Sequence, residues 1–190
     1  MKTTFGDLCR FDPCYSFRVK LGLHKNMQLT TEISILEILN SNGIEDAVWA
    51  LRTQEYKSYC LFLADVAQSV LHIFEKACPG DMRVRNLIAG IRRWHAGDIS
   101  DEQLADYAAA VYAAAYDGYY ATAAGYAGVA GYYATAAGYA AADYAAAAYA
   151  SAYAVDASAS ARATARREQW NKIEGLLRKH LGRRMNMKKK

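Results

Sequence analysis

The side chains able to do chemistry in this chain are few and far apart. Cys9 and Cys14 stand five residues apart, with His24 the nearest histidine. A zinc site needs four ligands closing a tetrahedron, and no second Cys or His pair follows at zinc-finger spacing. Cys60 and Cys78 complete the cysteines, and all four read as free structural thiols in a reducing compartment. No metal and no cofactor is expected. His24, His72, His95 and His180 are scattered. His72 lies between Leu71 and Ile73 on an apolar stretch and reads as a satisfied or edge histidine, not a general base. Trp94-His95 reads as a core anchor followed by a partner for a helix C-terminus. Asp98 and Asp101 flank Ser100, where helix capping accounts for them. The chain has no phosphate loop, no nucleophile elbow, no HExxH pair and no glycine fingerprint after a strand. These absences argue for contact rather than catalysis, and no catalytic residue is assigned.

Two other sets of side chains could bind a partner. The first is a tyrosine row. Tyr112, Tyr119, Tyr126 and Tyr133 are spaced by seven, and Ala115, Thr122, Val129 and Ala136 follow each at +3. That is a heptad seam with a large residue at one position and a small one at the other. Tyr offers large area with a polar tip and few rotatable bonds, so Tyr112, Tyr116, Tyr119, Tyr126, Tyr133 and Tyr139 are the candidate partner-binding residues. The competing reading is that the rings fill gaps between close-packed Ala faces. The second set is a basic arm of Arg166, Arg167, Lys172, Arg178, Lys179, Arg183 and Arg184. Residues 162–190 hold 11 Lys/Arg against 2 Glu, while residues 1–161 hold 12 against 17 acidic residues. The arm could meet nucleic acid, anionic lipid or an acidic partner. Its Trp170, Ile173, Leu177 and Leu181 also form a stripe that would pack a last helix on the body, with the charges as a solvated rim.

The elements that must hold these residues read as helices throughout. Thr30 and Thr31 offer an N-cap to a helix carrying Ile35, Leu36, Ile38 and Leu39, stopped by the segment from Asn40 to Gly43. A short helix follows from Ile44 to Arg52. Tyr56 to Ala77 is the best amphipathic stretch, with Tyr59, Leu63, Val66, Val70 and Ile73 or Phe74 recurring at three and four. Pro79-Gly80 ends it, and Asp81 can cap a helix burying Val84, Leu87, Ile88 and Ile91. Gly97 ends that helix, and Ser100 with Gln103 forms a capping box for the next. Met185 to Lys190 reads as a disordered tail. No stretch alternates strictly enough to be a strand.

From Ala105 to Ala165 the chain holds 30 Ala and 12 of the 15 Tyr, with no Leu, Ile, Phe, Met or Trp. Ala is the best helix former, so helix is expected there, with breaks at Asp117-Gly118, at Gly125, Gly128 and Gly131, and at Asp143. The nonapeptide YYATAAGYA at Tyr119–Ala127 recurs at Tyr132–Ala140. An offset of 13 turns a helix about 140° off its starting face, so the repeat makes no single stripe. Gly118 to Ala142 is uncharged, but Val129 is its only large aliphatic, so membrane insertion is not expected. The expected class is all-α: a helical bundle or helical-repeat-like superhelix with a close-packed Ala/Tyr-rich region. Its parts are residues 1–104 with the aliphatic core, 105–165 packed on it in the same domain, and 166–190 as basic helix and tail. The start of the chain lacks a signal-peptide stretch, which favours the cytoplasm.

The runs ILEILNSNGIEDAVWALR, CLFLADVAQSVLHIFEKACPGDMRVRNLIAGIRRWHAGDISDEQL and RREQWNKIEGLLRKHL, with an Ala-rich tract before the last, carry a resemblance. Across Ile35 to Leu181 the chain resembles immunity proteins of the polymorphic-toxin kind, found in bacterial and phage genomes. The resemblance implies an immunity or inhibitor protein, phage-encoded in one version, that occludes a target protein. It brings no functional residues with it. Two rival readings stay open: a nucleic-acid-associated protein using residues 162–190, and a self-assembling homo-oligomer pairing through the heptad seam.

Overall fold

The computed structural model describes residues 1–11, 13, 28–77, 79–116 and 159–187, with the side chains of 73, 74, 77, 112–116, 159–166 and 183–187 outside that description. The described architecture is helical, as expected, with one small addition. Strand β1 (Lys2–Thr4) pairs antiparallel with β2 (Glu32–Ser34), in the register Lys2↔Ser34, Thr3↔Ile33, Thr4↔Glu32. Each strand runs straight into a helix, α1 (Phe5–Cys9) and α2 (Ile35–Asn42). The last residue of each strand is the N-cap of its helix. Thr4 and Asp7 close one capping box, and Ser34 and Glu37 close the other. The ladder's outer bonds match this symmetry: Phe5 N–H donates to Thr31 O at 2.9 Å, and Ile35 N–H to Met1 O at 3.1 Å.

Two expectations are corrected here. There are strands, and the cap of α2 is Ser34 rather than Thr30 or Thr31. Three residues are too few to show alternation; only Thr3 and Ile33 point inward. The usable signal was the pair of caps, Thr-x-x-Asp and Ser-x-x-Glu, each behind a β-branched residue.

Gly43, with φ of 96°, reverses the chain into α3 (Ile44–Ala50). Two 3₁₀ turns follow, Leu51–Thr53 and Tyr56–Ser58, and then α4 (Cys60–Ala77). The amphipathic stretch therefore starts as 3₁₀ turn and becomes α-helix four residues later than its periodicity indicates. Tyr59, Leu63, Val66 and Val70 are buried as expected, but so are Phe62, Ala64, Ala67 and Leu71. A helix with such a wide apolar face must be covered by neighbours on more than one side.

Helix α5 (Arg83–Ala96) lies against α4, with Val84, Leu87, Ile88 and Ile91 buried. Asp81 Oδ1 accepts the Arg83 N–H at 3.0 Å, so it serves the helix start from just outside it. Arg85 pairs with Glu75 and Arg92 with Asp65 across the two helices. Gly97, with φ of 90° and ψ of 12°, gives the left-handed turn that ends α5, and Asp98 N–H closes back on Arg93 O at 2.9 Å. Helix α6 (Asp101–Tyr116) then folds back along α5. The final helix, α7 (Ala159–Met187), packs on α4 and touches α3. It continues through Met187, into the segment expected to be a tail. Buried residues from Leu8 to Leu181 form one cluster.

Candidate functional site

The start of α6 is built tightly. Ser100 Oγ accepts the Gln103 N–H at 3.3 Å, and Gln103 Oε1 accepts the Ser100 N–H at 2.9 Å, the capping box read from the sequence. Leu104 and Val111 are buried, and the Tyr107 ring lies on Gly90 of α5. Glu102 and Asp106 are exposed on the opposite side of α6, while Asp101 and Asp98 are exposed at and just before the helix start. The Ser100 hydroxyl holds the Glu102 carboxyl below the usual range. Acidic groups at a helix start also meet its positive end favourably.

Beside this turn sits an aromatic cluster. Trp94 Nε1 donates to Asp101 Oδ1 at 2.6 Å, so Asp101 fastens an indole as well as opening a helix. The Tyr56 ring lies 5.5 Å from the Trp94 ring, and Lys57 Nζ stands 5.4 Å over it. Trp94 is thus half-buried and held by three neighbours, rather than sunk in the core as expected.

His95 does more than sit at a helix end. Its Nδ1 is 3.4 Å from Sγ of Cys60, which opens α4. Cys60 is fully buried and His95 half-buried. From the other side, His180 of α7 donates its Nε2–H to the Ser58 carbonyl at 2.9 Å. That bond requires the proton on Nε2, because a carbonyl only accepts. Ser58 Oγ is buried without a hydrogen-bond partner among the described residues. Sequence reasoning missed the Cys60–His95 pair, and 35 residues of separation gave no signal for it.

The tyrosine row reaches the described structure only at its start. Tyr112 and Tyr116 lie on the last turns of α6, with their side chains outside the described residues, as are Tyr119, Tyr126, Tyr133 and Tyr139 entirely. The basic arm is better defined. Ile173, Leu177 and Leu181 are buried and Trp170 packs partly against the core, so the apolar stripe docks α7 as expected. Gln169 is buried as well, its Nε2 donating to Ser69 Oγ at 2.9 Å. Arg167, Lys172, Arg178 and Lys179 are exposed, but two of them turn back to the body. Lys172 Nζ donates to Ser69 O at 3.3 Å, and Arg178 bonds Glu174 Oε1 and Asn40 Oδ1, each at 2.9 Å. Arg166, Arg183 and Arg184 lie on the helix with side chains outside the description. The described residues contain no group of three metal-ligating side chains, and no described helix is long and apolar enough to cross a membrane.

The helices from Cys60 to Tyr116, the Trp-His turn and the Ala-rich flanks fall inside one family match. The model of a family described as "Imm-5 like putative immunity protein" matches residues 50–176. The chain belongs to this family. The Imm-5 like region opens at the end of α3, takes in α4, α5 and α6, encloses the whole Ala/Tyr tract, and ends inside α7. No curated protein and no solved structure matches the chain significantly.

Proposed function

We propose that this Imm-5 like chain is a non-enzymatic immunity protein that binds a protein toxin and covers the surface the toxin needs. The contact surface is the tyrosine-rich tract, led in by the exposed carboxylates Asp101, Glu102 and Asp106 of α6. One observation carries the reading. The family match encloses the tract, and the helices flanking it both sink into the core, through Val111 on one side and Ile173 on the other. A segment anchored at both ends on a packed body loses less freedom on binding than a free tail would. Tyr supplies contact area at low entropy cost, and the carboxylates suit a basic target.

The test is to capture a toxin on this protein and to measure binding to it and growth protection against it. Tyr119→Ala combined with Tyr126→Ala is expected to weaken toxin binding by about tenfold or more and to reduce growth protection, since interface Tyr are frequent hot spots. A double variant with normal helical content, full protection and unchanged affinity by calorimetry sinks the proposal. Nucleic-acid binding through residues 162–190 has less support, because Lys172 and Arg178 are engaged with the body.

A further inference from the structure

The contact between Cys60 and His95 is chemically unlike the others in the core. A thiol at the first residue of an 18-residue helix lies at that helix's positive end. An imidazole nitrogen 3.4 Å from the sulfur can take its proton. Both effects favour thiolate over thiol. Burial works against them, since Cys60 has no exposed surface. The 3₁₀ turn Tyr56–Ser58 runs beside it without a side-chain cap, and as a thiol Cys60 donates to the Lys57 carbonyl of that turn at 3.7 Å, a bond it must leave to pass its proton to His95. Ser58 Oγ is buried there with its hydrogen bond unmade, a cost that opening the turn relieves. His95 itself is half-exposed and reaches from solvent to the sulfur.

We infer that Cys60 and His95 form an imidazole-activated thiol, a modification site for small hydroperoxides that is uncovered when the Tyr56–Ser58 turn opens. Cys60 passes its proton to His95 Nδ1, and the thiolate attacks one oxygen of hydrogen peroxide. An S–O bond forms and the O–O bond breaks. The departing hydroxide takes the proton from His95 and leaves as water. Sulfur is oxidised to sulfenic acid, and peroxide is reduced. The added oxygen cannot fit a fully buried site unchanged, so the modification parts the start of α4 from the end of α5.

The charged and titratable groups placed by the pair are Lys57 on the turn, whose carbonyl meets Sγ, and His180 from α7 on the Ser58 carbonyl, while Arg92 of α5 is turned to Asp65. The experiment uses the full chain with Cys9, Cys14 and Cys78 replaced by Ser, hydrogen peroxide as probe, and mass spectrometry of the Cys60 peptide. Cys60 is expected to oxidise in the folded protein, with a pH–rate profile rising below the usual thiol range of about 8–9. His95→Gln is expected to slow it roughly tenfold near neutral pH, as for a thiol whose pKa rises by about one unit. Three results would each overturn the inference. Oxidation could follow global unfolding alone as urea is titrated. The His95→Gln protein could react at the same rate with the same profile. If that variant fails to fold, a parent profile rising only through the usual thiol range decides against it.

Discussion

A β-carbon added at Gly90 would lie 2.7 Å from Cδ2 of Tyr107 and 3.5 Å from its Cγ. The clash is with the base of a half-buried ring, not with a free tip, so the ring or a helix must move. Gly90→Ala is therefore expected to destabilise the fold by about 1–3 kcal/mol, the usual cost of overpacking, despite the better helix propensity of Ala. The urea midpoint reads this directly; a midpoint at or above that of the parent would mean Tyr107 swings aside freely. Tyr107 is also the one tyrosine of the Ala/Tyr tract whose ring is described, and it fills a gap on a helix face. Asp81 gives a second prediction. Hydrogen bonds from the Arg83 side chain and backbone hold its carboxyl below the usual range. The contribution is present above the unfolded pKa of about 3.9 and fades as pH falls through the lower folded value. Asp81→Asn should lower stability near neutral pH and flatten its decline in acid. Chemical denaturation from about pH 7 to about pH 3 should show both, and an unchanged acid limb would remove Asp81 from the account.

At the scale of elements, the periodicity of apolar residues carried most of the fold. Val84, Leu87, Ile88 and Ile91 on α5, and Ile173, Leu177 and Leu181 on α7, are buried as their spacing requires. Caps were legible where the side-chain pair is local, as at Ser100 and Gln103. Illegible were features set by distant partners. Gln169 shows no apolar signal, yet Ser69, 100 residues away, lets it be buried. Ser69→Ala leaves that amide short of its partner and also removes the Ser69 hydroxyl from Val66 O. The expected cost is about 1–3 kcal/mol, whereas Ser69→Ala with Gln169→Leu should recover part of it by leaving nothing polar unpaired. A double variant no more stable than Ser69→Ala would argue that the pair is water-served. Cys60 with His95, and Trp94 with Asp101, were invisible for the same reason: each residue is ordinary in its own helix. Of the candidate tyrosines, the sequence supplies a periodic row while the described structure supplies only its first two backbone positions.

At the scale of the molecule, the charge map and the packing map disagree about where the protein ends. By charge, residues 166–190 are a detachable basic arm. By packing, α7 is a wall of the core, because Ile173, Leu177 and Leu181 join the cluster that also contains Leu8, Leu63 and Val70. Removing residues 166–190 would expose the facing side of α4. Each buried Leu or Ile lost is worth about 2–5 kcal/mol, so three of them are together comparable to the stability of a typical domain of about 5–15 kcal/mol. That truncation is expected to abolish cooperative unfolding and to yield aggregating protein. Deleting only residues 188–190 removes three lysines and none of the buried residues, so the melting temperature should stay within a degree or two. The two deletions also separate charge from scaffold in function. If toxin neutralisation survives loss of residues 188–190 but fails with loss of 166–190 in step with unfolding, α7 serves by holding the second flank of the tyrosine tract. A folded 1–165 fragment, with a sharp thermal transition and intact toxin binding, would instead make α7 an appendage and return the basic arm to consideration as a separate binding element.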